Sequence, residues 1–134
     1  SPGMEPTYLL DTNIAIAILS NYLPFNPNSA VHVALSKQPI RLSVISEIEL
    51  LGWQNGTESE IQMAAEFVEA AVVLWLDRRI ADQTIEIRRQ FKSIKLPDAI
   101  IAATALTHQL TLLTRNVSDF SKIPGLTVVN PFIP

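Results

Sequence analysis

Cysteine is absent from the 134 residues, which removes disulfides and thiolate metal sites. Only two histidines are present, and they follow no ligand spacing, so zinc has little to bind. No apolar run approaches the roughly 20 residues of a membrane-spanning helix. No charged, apolar and small-residue leader of secretory type opens the chain. A cytoplasmic protein with no membrane partner is expected. Ser1-Pro2-Gly3, ahead of Met4, is expected to be an expression scar, leaving residues 4–134 as a single domain. What is plentiful is apolar: 48% hydrophobic against 17% charged residues. That is the composition of a globular chain large enough for one sizeable core.

A strong basic excess is also missing, since the net charge is −3. The positive residues are nonetheless uneven: Arg78, Arg79, Arg88, Arg89, Lys92 and Lys95 are six of the ten. Interleaved with Asp82 and Glu86, they read as a solvated helix face. The competing reading is a local phosphate-attracting patch on an acidic body.

Short apolar runs alternate with helical patterns. Strands are expected at Thr7–Leu10, Ile40–Ile45, Ala71–Leu76, Thr111–Thr114 and Thr127–Val129. Helices are expected at Asn13–Leu19, Ser29–Ser36, from Ser46 to about Gly52, from Thr57 or Ser59 to about Glu69, at Arg78–Phe91 and from Pro97 to about His108. Asn21–Pro27 reads as a break, and Arg115–Gly125 as a loop. Ser46 and Glu49 have capping-box spacing. Ala71–Leu76 is apolar throughout, which implies burial on both faces. The helix opened by Pro97 is apolar nearly all round and so belongs in the body of the domain. The alternation argues for an α/β domain with a mainly parallel sheet covered on both faces.

Four acids fall on one expected edge of that sheet. Asp11 ends the first strand, Glu49 follows the second by about one helical turn, Asp98 starts the apolar helix, and Asp119 follows the fourth strand. Ligands bind outside the carboxyl ends of parallel strands. Four carboxylates there would repel one another, and a hard divalent cation, Mg²⁺ or Mn²⁺, relieves that repulsion. Each acid also has a local explanation. Glu49 would complete the Ser46 capping box, and Asp98 would be favoured by the helix dipole, worth about 0.3–1 kcal/mol. Asp119 would be an Asx-type loop residue, and Asp11 a helix cap. Glu47 competes with Glu49: two residues apart on a helix they point about 200° apart, so only one faces a given pocket.

Four blocks carry a resemblance: Leu10-Asp11-Thr12-Asn13; Leu42-Ser43-Val44-Ile45-Ser46-Glu47-Ile48-Glu49-Leu50; Leu96-Pro97-Asp98-Ala99-Ile100; and Leu113-Thr114-Arg115-Asn116-Val117-Ser118-Asp119-Phe120 with Pro124-Gly125-Leu126. In this order, over nearly the whole chain, they resemble the PIN-domain ribonucleases, and within them the VapC-like toxins of bacterial toxin–antitoxin pairs. The resemblance implies a three-layer α/β/α PIN-like domain and Mg²⁺- or Mn²⁺-dependent endonuclease activity on structured RNA of tRNA or rRNA type. It also implies a homodimer and a cognate antitoxin that can place a basic side chain among the acids. It carries Asp11, Glu49, Asp98 and Asp119 over as catalytic, metal-holding acids, and its Glu-Leu context favours Glu49 over Glu47. Thr12 and Thr114 resemble supporting hydroxyls. Asn116 stands where some relatives carry an Asp, so either Asn116 or Asp119 is the fourth site residue. Arg115 is a candidate phosphate contact or a surface side chain at a strand end.

Phosphodiester hydrolysis needs such a set: carboxylate-held cations activate water and clamp the phosphate, about 3.5–4 Å apart in two-metal sites. Tyr22, Phe25 and Trp53 are candidates for base stacking or, alternatively, for core or dimer packing. Two other functions compete, a non-catalytic PIN-like domain that binds RNA or protein and an aspartyl phosphotransfer domain.

Overall fold

In the computed structural model, residues 5–20, 29–53 and 55–132 are described. Among them five short strands, β1 (Tyr8–Leu10), β2 (Arg41–Ser43), β3 (Val72–Leu74), β4 (Thr111–Leu113) and β5 (Val128–Val129), form one sheet in the order β3-β2-β1-β4-β5. Every pairing is parallel, with Leu10 opposite both Leu42 and Leu113. The chain leaves β1 toward β2 on one side and returns as β4 on the other. The carboxyl ends of β1 and β4 therefore flank the topological switch point, where open α/β sheets bind ligands.

Seven helices among the described residues complete the fold: α1 (Thr12–Leu19), α2 (Ala30–Ser36), α3 (Val44–Leu51), α4 (Glu58–Ala70), α5 (Arg78–Gln90), α6 (Leu96–Thr107) and α7 (Val117–Phe120). None is long and apolar enough to cross a membrane. Side chains alternate across β1, as the two-residue period of a strand requires. Tyr8 and Leu10 join Ile14 of α1, Ala34 of α2, Leu50 of α3 and Val68 of α4 in one core. Leu9 faces the opposite way, into Ile80 and Ile87 of α5 and the Ala99–Ala105 run of α6. Those α6 residues are all buried, as the all-round apolar pattern requires.

The structure corrects three expectations. The second strand ends at Ser43, and Ser43, not Ser46, caps α3 by accepting from the Ile45 N–H at 3.1 Å. The capping box proper lies one helix later, between Thr57 and Glu60. Second, β3 is an edge strand rather than a doubly buried one, and Val72, Trp75 and Leu76 are exposed. Third, the expected loop Arg115–Gly125 contains α7. Asn21–Pro27, with Tyr22 and Phe25, lies outside the described residues, as do Ser1–Gly3.

Candidate functional site

Asp11 follows β1 directly and is only 5% exposed. Its Oδ1 accepts from the Thr12 N–H at 2.8 Å, which caps α1. Its Oδ2 accepts from the Thr114 hydroxyl at 2.7 Å and from the Asn13 amide at 3.3 Å. The capping explanation of Asp11 is therefore correct for one oxygen, while the other is held across the switch point by a residue from the end of β4. Burial pushes its carboxyl above the usual range. The Thr114 and Thr12 hydrogen bonds pull it back, and the charge of Glu49 raises it further.

Asn13 and Thr114 extend this corner. The Asn13 side-chain oxygen accepts from the Arg115 N–H at 3.3 Å, and Thr114 Oγ1 accepts from the Asn116 N–H at 3.0 Å. One buried hydroxyl thus orients Asp11 and anchors the chain entering α7. Sequence reasoning gave Asn13 no role. The only signal was its place two residues after Asp11, where its amide can reach back.

On α3, Ser46 and Glu49 lie one turn apart on the same face. The Thr12 hydroxyl donates to Glu49 Oε1 at 2.5 Å. A hydroxyl has one proton, so Ser46 Oγ is the donor in its 2.8 Å contact with Thr12 Oγ1. Ser46 is fully buried. Its task is to hold Thr12, which holds Glu49 beside Asp11. Glu47 lies in the first turn of α3, while Glu49 is joined to Thr12, the residue after Asp11.

Asp98 stands in the first turn of α6. Its carboxyl is raised by burial first, then by the charges of Asp11, Asp119 and Glu49, with Lys95 opposing. Three like charges from three other elements therefore act on Asp98 at once, so the acids expected on one edge share one electrostatic site. Asp119 occupies exposed surface in α7. Asn116 precedes α7 as its cap residue, but its side chain makes no capping bond. The Arg115 guanidinium lies over the Phe132 ring, 4.6 Å from its centre.

The donor set contains carboxylate oxygens and hydroxyls, with no imidazole or thiolate among the residues named here. Such a set fits a hard cation of the Mg²⁺ or Mn²⁺ kind. Among the described residues no three acids are gathered closely enough to hold an ion as they stand. Asp11 is fixed by its donors and Glu49 is tied through one oxygen to Thr12, whereas Asp119 is exposed on α7.

A fold and a site of this kind match a known family: residues 8–126 fit the PIN domain model. The chain belongs to the PIN domain family, and within it the chain is VapC-like. Ribonuclease VapC1 of Rickettsia felis is 48% identical over 44 residues, a segment covering 33% of this chain and 33% of that relative. The match thus spans about a third of that curated relative's length. A toxin–antitoxin complex from Klebsiella pneumoniae contains a chain 34% identical to this one, with 93% of this chain and 98% of that chain covered at a TM-score of 0.70. VapBC-1 from nontypeable Haemophilus influenzae is 26% identical, covers 93% and 98%, and also has a TM-score of 0.70.

Proposed function

We propose that this chain is a divalent-cation-dependent endoribonuclease that acts on structured RNA in the cytoplasm as the toxin of a toxin–antitoxin pair. The observation that carries the proposal is the placement of Asp11 at the switch point of a PIN domain, held by Thr114 and linked through Thr12 to Glu49, where the charges of Asp11, Asp119 and Glu49 also bear on Asp98. A phosphate diester has no reason to approach four acids unless positive charge lies between them.

Asp11 and Asp98 would be the principal ligands, Asp119 would complete the set, and Glu49 would bind directly or through water. A cation held there would polarise the phosphate and lower the pKa of a water. The chain's own residues do the positioning. Thr114 and Asn13 fix Asp11 Oδ2, and Ser46 fixes Thr12, which fixes Glu49 Oε1. The second Glu49 oxygen is left to take a proton from an attacking water. Aspartyl phosphotransfer gains no support, because the chain lacks the adjacent acid pair and the Asp-x-Asp-x-Thr pattern that such domains resemble.

The solved relatives named above include a toxin–antitoxin complex, which supports an antitoxin as partner. A groove of about 720 Å³ begins at Thr12 and Glu49 and continues between α1 and α4 past Ile16, Trp53 and Met63. It offers an apolar bed that ends at the acids, suited to an antitoxin segment with a basic residue at its tip. Trp53 lines this groove with about half of its surface exposed. Trp75 and Leu76, exposed after the edge strand, are surface that a second copy would cover.

The test is cleavage of a panel of tRNAs and rRNA fragments by antitoxin-free protein with Mg²⁺ or Mn²⁺, with EDTA, and by folded Asp98→Asn. Cleavage that needs the metal and vanishes in the variant is expected. An intact panel with both metals, or RNA that is bound but never cut, overturns the proposal.

A further inference from the structure

The basic residues of α5 and the turn after it do not form one patch. Arg78 is ion-paired to Asp82 at 3.0 Å and Arg89 to Glu86 at 3.2 Å. Arg79 shares a surface depression with Asp82 and Glu86, beside Leu106 and Gln109 at the far end of α6. Arg88 is exposed in the last turn of α5, and three lysines lie beyond that helix. Lys92 and Lys95 lie in the connection between α5 and α6, Lys95 directly before the helix that carries Asp98. Lys122, two residues after α7, reaches back so that its Nζ lies 5.8 Å from the centre of the Phe91 ring, at the end of α5. Among the described residues none of the three lysines is ion-paired, and all three are exposed. The Phe91 contact therefore sets a lysine that follows α7, the helix of Asp119, against the start of the connection that carries Lys92 and Lys95. In a chain of net charge −3, this is unneutralised positive charge beside an acidic centre.

We propose that Lys122, set against Phe91, together with Lys92 and Lys95 of the α5–α6 connection, forms a rim that seats backbone phosphates of the RNA strand on the Asp98 side of the acid site. The rim rests on the ribonuclease reading above and assigns its substrate a path. A strand approaching the acids is repelled by them. Lysines bordering the acids offset that repulsion and hold the flanking phosphates, while the scissile one is left to the acids and their cation. Phe91 acts as the spacer that fixes Lys122.

The test is binding of a short fluorescein-labelled single-stranded RNA of mixed sequence by the full chain in an Asp98→Asn background, followed by anisotropy across a salt titration. Each phosphate contact on a single strand contributes about 0.7 to the slope of log K against log salt. Replacing all three lysines with Gln is expected to lower the slope by roughly 2 and affinity about tenfold or more at moderate salt. Replacing them with Arg restores both, and Arg79→Gln leaves both unchanged. An unchanged slope in the triple Gln variant overturns the rim, as does an equal loss from Arg79→Gln. A poly-glutamate peptide that displaces the RNA at equal charge also overturns it, by making the rim a protein-docking surface. Absence of measurable RNA binding overturns it as well. The ribonuclease reading is judged separately, by wild-type cleavage with metal. Cleavage with an unaltered slope sinks the rim alone, and a rim-dependent slope without cleavage sinks the enzyme alone.

Discussion

Asp11 and Asp119 are assigned to one site but live in opposite surroundings. Asp11 is buried, with donors from Thr12, Asn13 and Thr114 on its two oxygens. Asp119 is exposed on a four-residue helix. One corner is built by the fold, and its carboxylate cannot leave without exposing buried donors. The other is a surface carboxylate whose placement depends on what it binds. A site of this form has a fixed anchor and an adaptable far side, so damage to its two corners should differ in kind as well as in size.

The largest expected difference is in turnover. Asp11→Asn removes a ligand worth several kcal/mol of charge stabilisation, so kcat should fall roughly 10³-fold or more. Asp119→Asn should act mainly by raising the metal concentration needed for half-maximal activity, on the order of 10–100-fold, with kcat recovering at saturating Mn²⁺. If metal fails to rescue Asp119→Asn, or if Asp11→Asn is rescued, the two corners are not different in the way described.

Thr114→Val tests the anchor without touching a ligand. It removes the donor to Asp11 Oδ2 and the acceptor of the Asn116 N–H. The buried groups left unpaired should cost about 1–3 kcal/mol of stability, and activity should fall about 10–100-fold as Asp11 loses its orientation. Asn116→Ala is smaller. The Asn116 main chain is held by Thr114 while its side chain makes no capping bond, so a change of only about two- to threefold in activity is expected. A loss as large as that of Asp119→Asn would make Asn116 the fourth site residue instead.

The anchor was largely legible in the sequence. The apolar run to Leu10 ended on Asp11, and parallel topology followed from the strand–helix order, so Asp11 had to emerge at the carboxyl edge of the sheet. The supports were not legible, because they join residues far apart in the chain. Ser46 has the local spacing of a cap to Glu49, yet its partner is Thr12, 34 residues away. Local rules see only the nearer option, and the shorter strand, ending at Ser43, moved the cap. The Ala71–Leu76 run failed for a related reason. Apolarity reports that a segment avoids water, not which neighbour covers it, and β3 at the sheet edge leaves Trp75 and Leu76 exposed. At the far corner, among the described residues, the Asp119 side chain makes no hydrogen bond or ion pair to read.

The smallest expected effect concerns stability, and it turns on what the shared charge costs. Asp98 has a raised carboxyl pKa because burial and the charges of Asp11, Asp119 and Glu49 disfavour its ionised form. Between the unfolded value, about 3.9, and the higher folded value, the folded chain holds more of that proton than the unfolded chain. Stability therefore falls as pH rises through that window, and the full penalty persists above it. Asp98→Asn removes the charge, so the variant should be more stable than wild type at neutral pH. Solvent screening of a partly exposed group limits the gain to about 0.5 kcal/mol, or about 2 °C in Tm. Below the unfolded value both chains are neutral at this position, and the difference should vanish. Divalent cation should narrow the gap at neutral pH from the other side, by stabilising wild type more than the variant. Paired melts at neutral pH and near pH 3, with and without Mg²⁺, check all of this. A variant less stable than wild type at neutral pH would mean that the acids are not held against one another, and the anchor would then have no charged partner to oppose.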